Sequence, residues 1–145
     1  MNFEKELMVS FFMVRALIER GKVSSRSRNH SVLIHKAPWN GKPLTRMDYW
    51  CIEQFYHLDR EQQQTVSIDF LANQFIHARI IYAMRDETRN WSSVLLCSDY
   101  DTKKALYRVT IADIQKIFRL VGSDYVSWSK WVYDEKLGDY RVTTD

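Results

Sequence analysis

The sequence predicts an α+β fold: an antiparallel-rich sheet with about three helices packed on one face, in a single compact domain spanning residues 1–145. Three observations carry this prediction. Strand-like and helix-like segments come in blocks rather than in strict β-α alternation, which favours an antiparallel sheet over a doubly wound parallel one. Three segments show apolar stripes at helical spacing with capping residues at their starts. Glycine and proline are scarce, with four Gly and two Pro, and each glycine sits at the end of a helix-like segment or in a turn.

Residues 3–20 read as the first helix. Asn2 caps it, Glu4 and Glu6 suit the positive end of its dipole, and Gly21 ends it. Phe3, Leu7, Phe11, Val14 and Ile18 form one stripe, widened by Met8, Phe12 and Leu17. So broad an apolar face predicts a central helix packed on more than one side. Val32-Leu33-Ile34 is a short strand candidate. Thr45 opens a second predicted helix, with Asp48 in a capping-box-like position and Met47, Trp50, Cys51, Phe55 and Leu58 as its stripe.

Residues 64–77 support two interpretations. Val66, Ile68 and Phe70 alternate with Ser67 and Asp69 as a strand would, while Ile68, Leu71, Ala72, Phe75 and Ile76 fit a helix. From Ala78 the alternation predicts a strand to Arg85, a turn over Asp86–Asn90, a strand from Trp91 to Ser98, a turn over Asp99–Lys103 and a strand from Lys104 to Val109. Thr110 and Asp113 start the last helix, which buries Ile111, Ile114, Ile117, Phe118 and Val121 and stops at Gly122. A hairpin of Tyr125–Tyr133 and Asp139–Thr143 closes the chain.

Several function classes lack their residues. All four glycines have local backbone duties, leaving none for a Walker-A or dinucleotide-binding loop. No apolar run approaches the roughly 20 residues of a membrane helix. Glu4 and Glu6 stand where a secretory signal would be positive, so a cytoplasmic location is the default expectation. Cys51 and Cys97 form no C-x-x-C pair and are expected to be inert core thiols.

No catalytic, metal or cofactor set emerges from spacing. His30 and His35 are five residues apart and share neither a strand face nor a helix face. Glu53 and His57 share a face of the predicted second helix, but two ligands do not make a site. Cys51 and His57 point apart, Ser123 lacks a nucleophile-elbow frame, and Asp99 and Asp101 fall in a turn where Asp ordinarily serves the backbone. The best pocket candidate is the group Tyr49, Tyr56, His57 and Asp59, beside Trp50; its competing explanation is the amphipathic rim of a helix.

Two features point outward. Arg20, Lys22, Arg26, Arg28, Lys36, Lys42 and Arg46 make seven of the 21 basic residues and enclose none of the 18 acidic ones, so the net charge of +3 divides into +7 here and −4 elsewhere. Such a run is a candidate anion surface, nucleic acid foremost, with Trp39, His30 and His35 as stacking partners; the alternative is a solvated loop paired with the acidic remainder. Ser24, Ser25 and Ser27 among the arginines form a weak phosphorylation pattern. The closing hairpin is the second feature. Its first strand places Tyr125, Trp131 and Tyr133 on one face and Trp128 on the other, so one ring-bearing face is predicted to meet the core and the other to be covered by the chain or a partner. Trp128, Trp131, Tyr133 and Tyr140 are the interface candidates.

From these observations the favoured expectation is a small non-catalytic interaction protein forming a homo-oligomer. Nucleic-acid binding through residues 20–46 comes second, and a small ligand or an enzymatic site near His57 third.

Overall fold

The computed structural model describes residues 2–145, without the side chain of Tyr49. The predicted α+β architecture is present. Five strands, β1 (Ser31–Pro38), β2 (Gln62–Ser67), β3 (Ala78–Arg85), β4 (Trp91–Ser98) and β5 (Ala105–Thr110), form one sheet in the order β2-β1-β5-β4-β3. Every neighbouring pair is antiparallel. The helices are α1 (Phe3–Glu19), the short α2 (Ser25–Arg28), α3 (Ile68–Ile76) and α4 (Ile111–Gly122). The hairpin strands β6 (Ser129–Asp134) and β7 (Asp139–Thr144) pair with each other, as a separate two-stranded sheet.

Local chemistry sets the helix ends. The Asn2 side chain accepts hydrogen bonds from the backbone N–H groups of Glu4 at 3.0 Å and Lys5 at 3.4 Å. At the other end, Gly21 lies in the left-handed region with φ of 64°. The N–H of Gly21 reaches the Ile18 carbonyl and that of Lys22 reaches Leu17, a Schellman closure that a Cβ-bearing residue adopts only with strain. Gly122 differs: it is the last residue of α4 itself, and the cap falls on Ser123. Thr110 caps α4 as expected, accepting from the Asp113 N–H at 3.1 Å.

Residues 64–77 turn out to hold both predicted structures in succession. The strand period runs to Val66. The Ser67 hydroxyl then accepts from the Phe70 N–H at 3.0 Å, which switches the chain into α3.

The helices share one face of the sheet. Leu96 pairs with Tyr107 across β4 and β5, and the Tyr107 ring meets Phe70 of α3 edge-on at 5.4 Å. Strand alternation therefore puts Val94, Leu96 and Val109 beneath the helices as well. Phe11 ties the layer together, stacked on Phe75 at 4.1 Å and tilted against Phe118 at 5.1 Å. Leu95, Cys97, Leu106 and Ala37 point the opposite way and are also buried. The segment between β1 and β2 supplies their cover, with Ile52, Phe55 and Tyr56 all in the core.

That cover corrects the predicted second helix. Thr45 and Asp48 do exchange hydrogen bonds, the carboxylate accepting from the Thr45 N–H at 2.8 Å and hydroxyl at 2.7 Å. No α-helix propagates from them. Tyr49–Gln54 and Leu58–Arg60 are 3₁₀ turns, interrupted by Cys51 at φ −124° and ψ 45°. Tertiary pairing explains this. Asn40 N–H bonds the Phe55 carbonyl at 2.8 Å and His57 N–H the Pro38 carbonyl at 2.9 Å. An uninterrupted helix gains about 1.5 Å per residue and would carry Phe55–His57 away from those partners.

The first helix also departs from expectation. Leu7, Phe11, Val14 and Ile18 are buried, but Val9, Phe12, Met13 and Leu17 are exposed, Phe12 by 62%. Thus α1 covers the core from one side and is not central. Among the described residues no helix is long and apolar enough to cross a membrane.

Candidate functional site

The acidic remainder of the chain does not neutralise the basic run. Among the described residues, Arg28 is the only one of the seven in an ion pair, at 3.3 Å from Asp69, and that pair is exposed enough to contribute little. All except the half-buried Lys36 are exposed. The fold splits the run, however. Arg20, Lys22, Arg26 and Arg28 gather around the end of α1 and α2, while Lys42 and Arg46 follow β1. An eight-residue strand such as β1 spans about 26 Å, so the two groups do not make one patch. The serines among the arginines are largely structural. Ser24 and Ser27 are buried, and Ser24 caps α2 by accepting from the Ser27 N–H at 3.2 Å.

Neither face of the hairpin meets the core, contrary to the prediction. Strand β6 begins only at Ser129, so Tyr125 and Trp128 precede it. Trp131 pairs with Val142 and Tyr133 with Tyr140, and opposed residues share a face. One face thus carries Trp131, Tyr133, Tyr140 and Val142. Lys130, Val132, Asp134, Asp139, Arg141 and Thr143 occupy the other, where the Arg141 guanidinium bonds the Asp134 carboxylate at 2.5 Å. The hairpin is amphipathic, and the rings of its apolar side are well exposed, Trp131 by 63%, Tyr133 by 54% and Tyr140 by 55%, although the base of that side turns toward the α1–α2 corner, where Thr144 is buried. Their rings interlock edge-on, Tyr133 to Tyr140 at 5.3 Å and Trp131 to Tyr140 at 6.4 Å.

The base of the hairpin is anchored. The Thr144 hydroxyl donates to the Val23 carbonyl at 3.0 Å, and its N–H to the Ser25 hydroxyl at 3.2 Å. The Asp124 carboxylate accepts from the Ser24 N–H at 2.5 Å. Between this base and the α1–α2 corner lies a groove of about 520 Å³, walled by Arg20, Lys22 and Arg28 on one side and Val126, Trp131 and Val142 on the other. Sequence spacing gave no sign of this meeting, because about 100 residues separate the two walls.

The candidates around His57 disperse. Tyr56 is a core residue, not a pocket wall; its hydroxyl donates to the Thr102 carbonyl at 2.7 Å and lies 3.8 Å from the Cys97 sulfur. His57 is half-buried and Asp59 exposed, and the Tyr49 side chain lies outside the described residues. The clefts at α1, α2, α3 and the hairpin take no wall from Tyr56, His57 or Asp59. No group of three or more His, Cys, Asp or Glu able to hold a metal ion occurs among the described residues.

A polar cluster missed by the sequence analysis sits where α3 meets the β4–β5 turn. The buried Asp101 carboxylate accepts from the Gln74 amide at 2.9 Å and the Tyr107 hydroxyl at 2.8 Å. Gln74 in turn accepts from the Ser98 N–H at 2.8 Å. Asp101 already has its hydrogen-bond partners, so its role here is structural.

Burial governs the two thiols differently. Cys97 is buried, and burial pushes its thiol up to about 12, partly opposed by the hydrogen bond with Tyr56. Cys51 is only half-buried. An aromatic-disulfide reagent at pH 8 should therefore titrate one thiol in the native protein and two after unfolding; rapid labelling of both would contradict the burial of Cys97. Cys97 also affects stability at high pH. The folded state keeps a proton that the unfolded chain begins to release near pH 8.5. Its contribution is intact below that pH and declines as the pH rises toward about 12.

Comparison of the chain with family models, curated proteins and solved structures finds no match.

Proposed function

We propose that this chain is a small non-catalytic interaction protein that self-associates through the ring-bearing face of its C-terminal hairpin. The observation carrying this proposal is the amphipathic hairpin with its aromatic face in solvent. Apolar patches of this kind mark interaction surfaces more often than scattered exposed residues do. A second copy is the occupant that the chemistry favours. Trp131, Tyr133, Tyr140 and Val142 include no charge, so two such faces meet about a two-fold axis without repulsion, each presenting the same ladder to the other. The charged residues of the paired strands all lie on the opposite face of the hairpin.

The size of the patch sets the expected strength. Aromatic side chains bury about 150–250 Å² each, so three rings more than half exposed present roughly 300–400 Å². A standard interface takes about 800 Å² from each partner. The hairpin face alone is no more than half of that, so the association expected is weak and visible only at high protein concentration.

Sedimentation velocity over a wide concentration range tests this. The apparent mass should rise from 17.4 kDa toward twice that value for the wild type and stay at the lower value for Tyr133→Ala/Tyr140→Ala. Lys130→Ala, on the opposite face, should behave as wild type. A wild-type monomer at several hundred micromolar would discard the proposal.

A further inference from the structure

The groove at the hairpin base combines two chemistries that neither wall has alone. We propose that it binds a nucleotide unit, a phosphate with its attached aromatic base, as presented by single-stranded nucleic acid. The phosphate side is supplied by Arg20, Lys22 and Arg28. Among the described residues, Arg20 and Lys22 enter no ion pair, and Arg28 has only its long, exposed contact with Asp69. The one carboxylate in the groove wall, Glu19, is bonded by the Arg15 guanidinium at 2.7 Å. Cationic groups without internal partners attract phosphate and release its counterions.

The base side is supplied by Trp131. Its ring is well exposed yet held in place, because Nε1–H donates to the Ser129 hydroxyl at 3.0 Å. A fixed, exposed indole offers a face to any base without sequence preference. Val126 and Val142 complete an apolar wall beside it. The groove volume of about 520 Å³ falls within the usual range for small-ligand sites.

The groove shares Trp131 and Val142 with the proposed self-association face, so a nucleotide and a second copy compete for the indole. Tyr133 and Tyr140 stand on the outer half of the hairpin and line no part of the groove. Fluorescence anisotropy with a labelled oligothymidylate and the full chain tests it, with thymidine monophosphate as competitor to separate a strand from a free nucleotide. Saturable binding is expected, weakening about tenfold as salt rises from roughly 50 to 200 mM, as two or three phosphate contacts require. Trp131→Ala should weaken it by about tenfold and Trp131→Phe far less, since a phenyl ring still stacks. Arg20→Glu/Lys22→Glu should abolish binding with the circular dichroism spectrum unchanged, and Tyr133→Ala/Tyr140→Ala, which removes the competing self-association but no groove residue, should not weaken it. Displacement by the monophosphate at comparable concentration assigns the site to free nucleotides, and displacement only by oligomers assigns it to strands; both uphold the groove as a nucleotide site. Absence of binding by both probes overturns it. So does inorganic polyphosphate competing equally while Trp131→Ala has no effect. Loss of self-association in the Arg20/Lys22 variant, without oligonucleotide binding by the wild type, would overturn it too, because the groove would then belong to the contact between two copies.

Discussion

Phe11→Ala is expected to destabilise the fold by about 3–5 kcal/mol, the range for removing a buried phenyl ring. Phe11 is fully buried and touches both other long helices, through Phe75 at 4.1 Å and Phe118 at 5.1 Å. Its loss opens a cavity at the one point where α1, α3 and α4 converge, so no single helix can settle into the space without leaving the sheet. Domains of this kind are stable by about 5–15 kcal/mol in total. A loss of that size should lower the melting temperature by roughly 10 °C or more, read by circular dichroism. Phe12→Ala, one residue along but 62% exposed, should change stability by less than about 0.5 kcal/mol. Equal effects at the two positions would mean that α1 packs with a different face.

Asp101→Ala is expected to cost about 2–4 kcal/mol. The carboxylate is the shared acceptor for the Gln74 amide and the Tyr107 hydroxyl, and its removal strands both donors. Each stranded buried group costs about 1–3 kcal/mol. The contact with Lys104 Nζ, at 3.4 Å and with that lysine 71% exposed, adds little. Denaturation of Tyr107→Phe, Asp101→Ala and the double variant separates the pair energy from the burial of each group. The double variant should be less destabilised than the sum of the single ones by about 1 kcal/mol or more. Strict additivity would show that Asp101 acts through its turn backbone, where its carbonyl also accepts from Lys104 and Ala105.

Much of the fold was legible in the sequence because it is encoded locally. The Asn2 and Thr110 caps, the Schellman turn at Gly21 and the meander from Ala78 to Thr110 all depend on residues within a few positions of one another. Periodicity reads such features directly. The predicted helix at residues 45–58 failed for the converse reason. Its capping pair formed, but hydrogen bonds to Pro38 and Asn40 bent the segment into 3₁₀ turns over the sheet. The candidate site was legible only as separate parts. Positive charge in residues 20–46 and rings in the closing hairpin were visible as composition.

What the sequence alone determined, then, was which residues carry charge, rings, caps and strand alternation, and with them the α+β class. The tertiary structure decided which of those residues face solvent and which meet. It left the second stripe of α1 and the hairpin rings exposed, and it brought Trp131 and Lys22 to the same groove. The physical reason is that apolar periodicity fixes a residue's side of a helix or strand, whereas exposure depends on whether another element covers that side. That cover, like the groove, comes from segments distant in the chain, whose pairing no local pattern encodes.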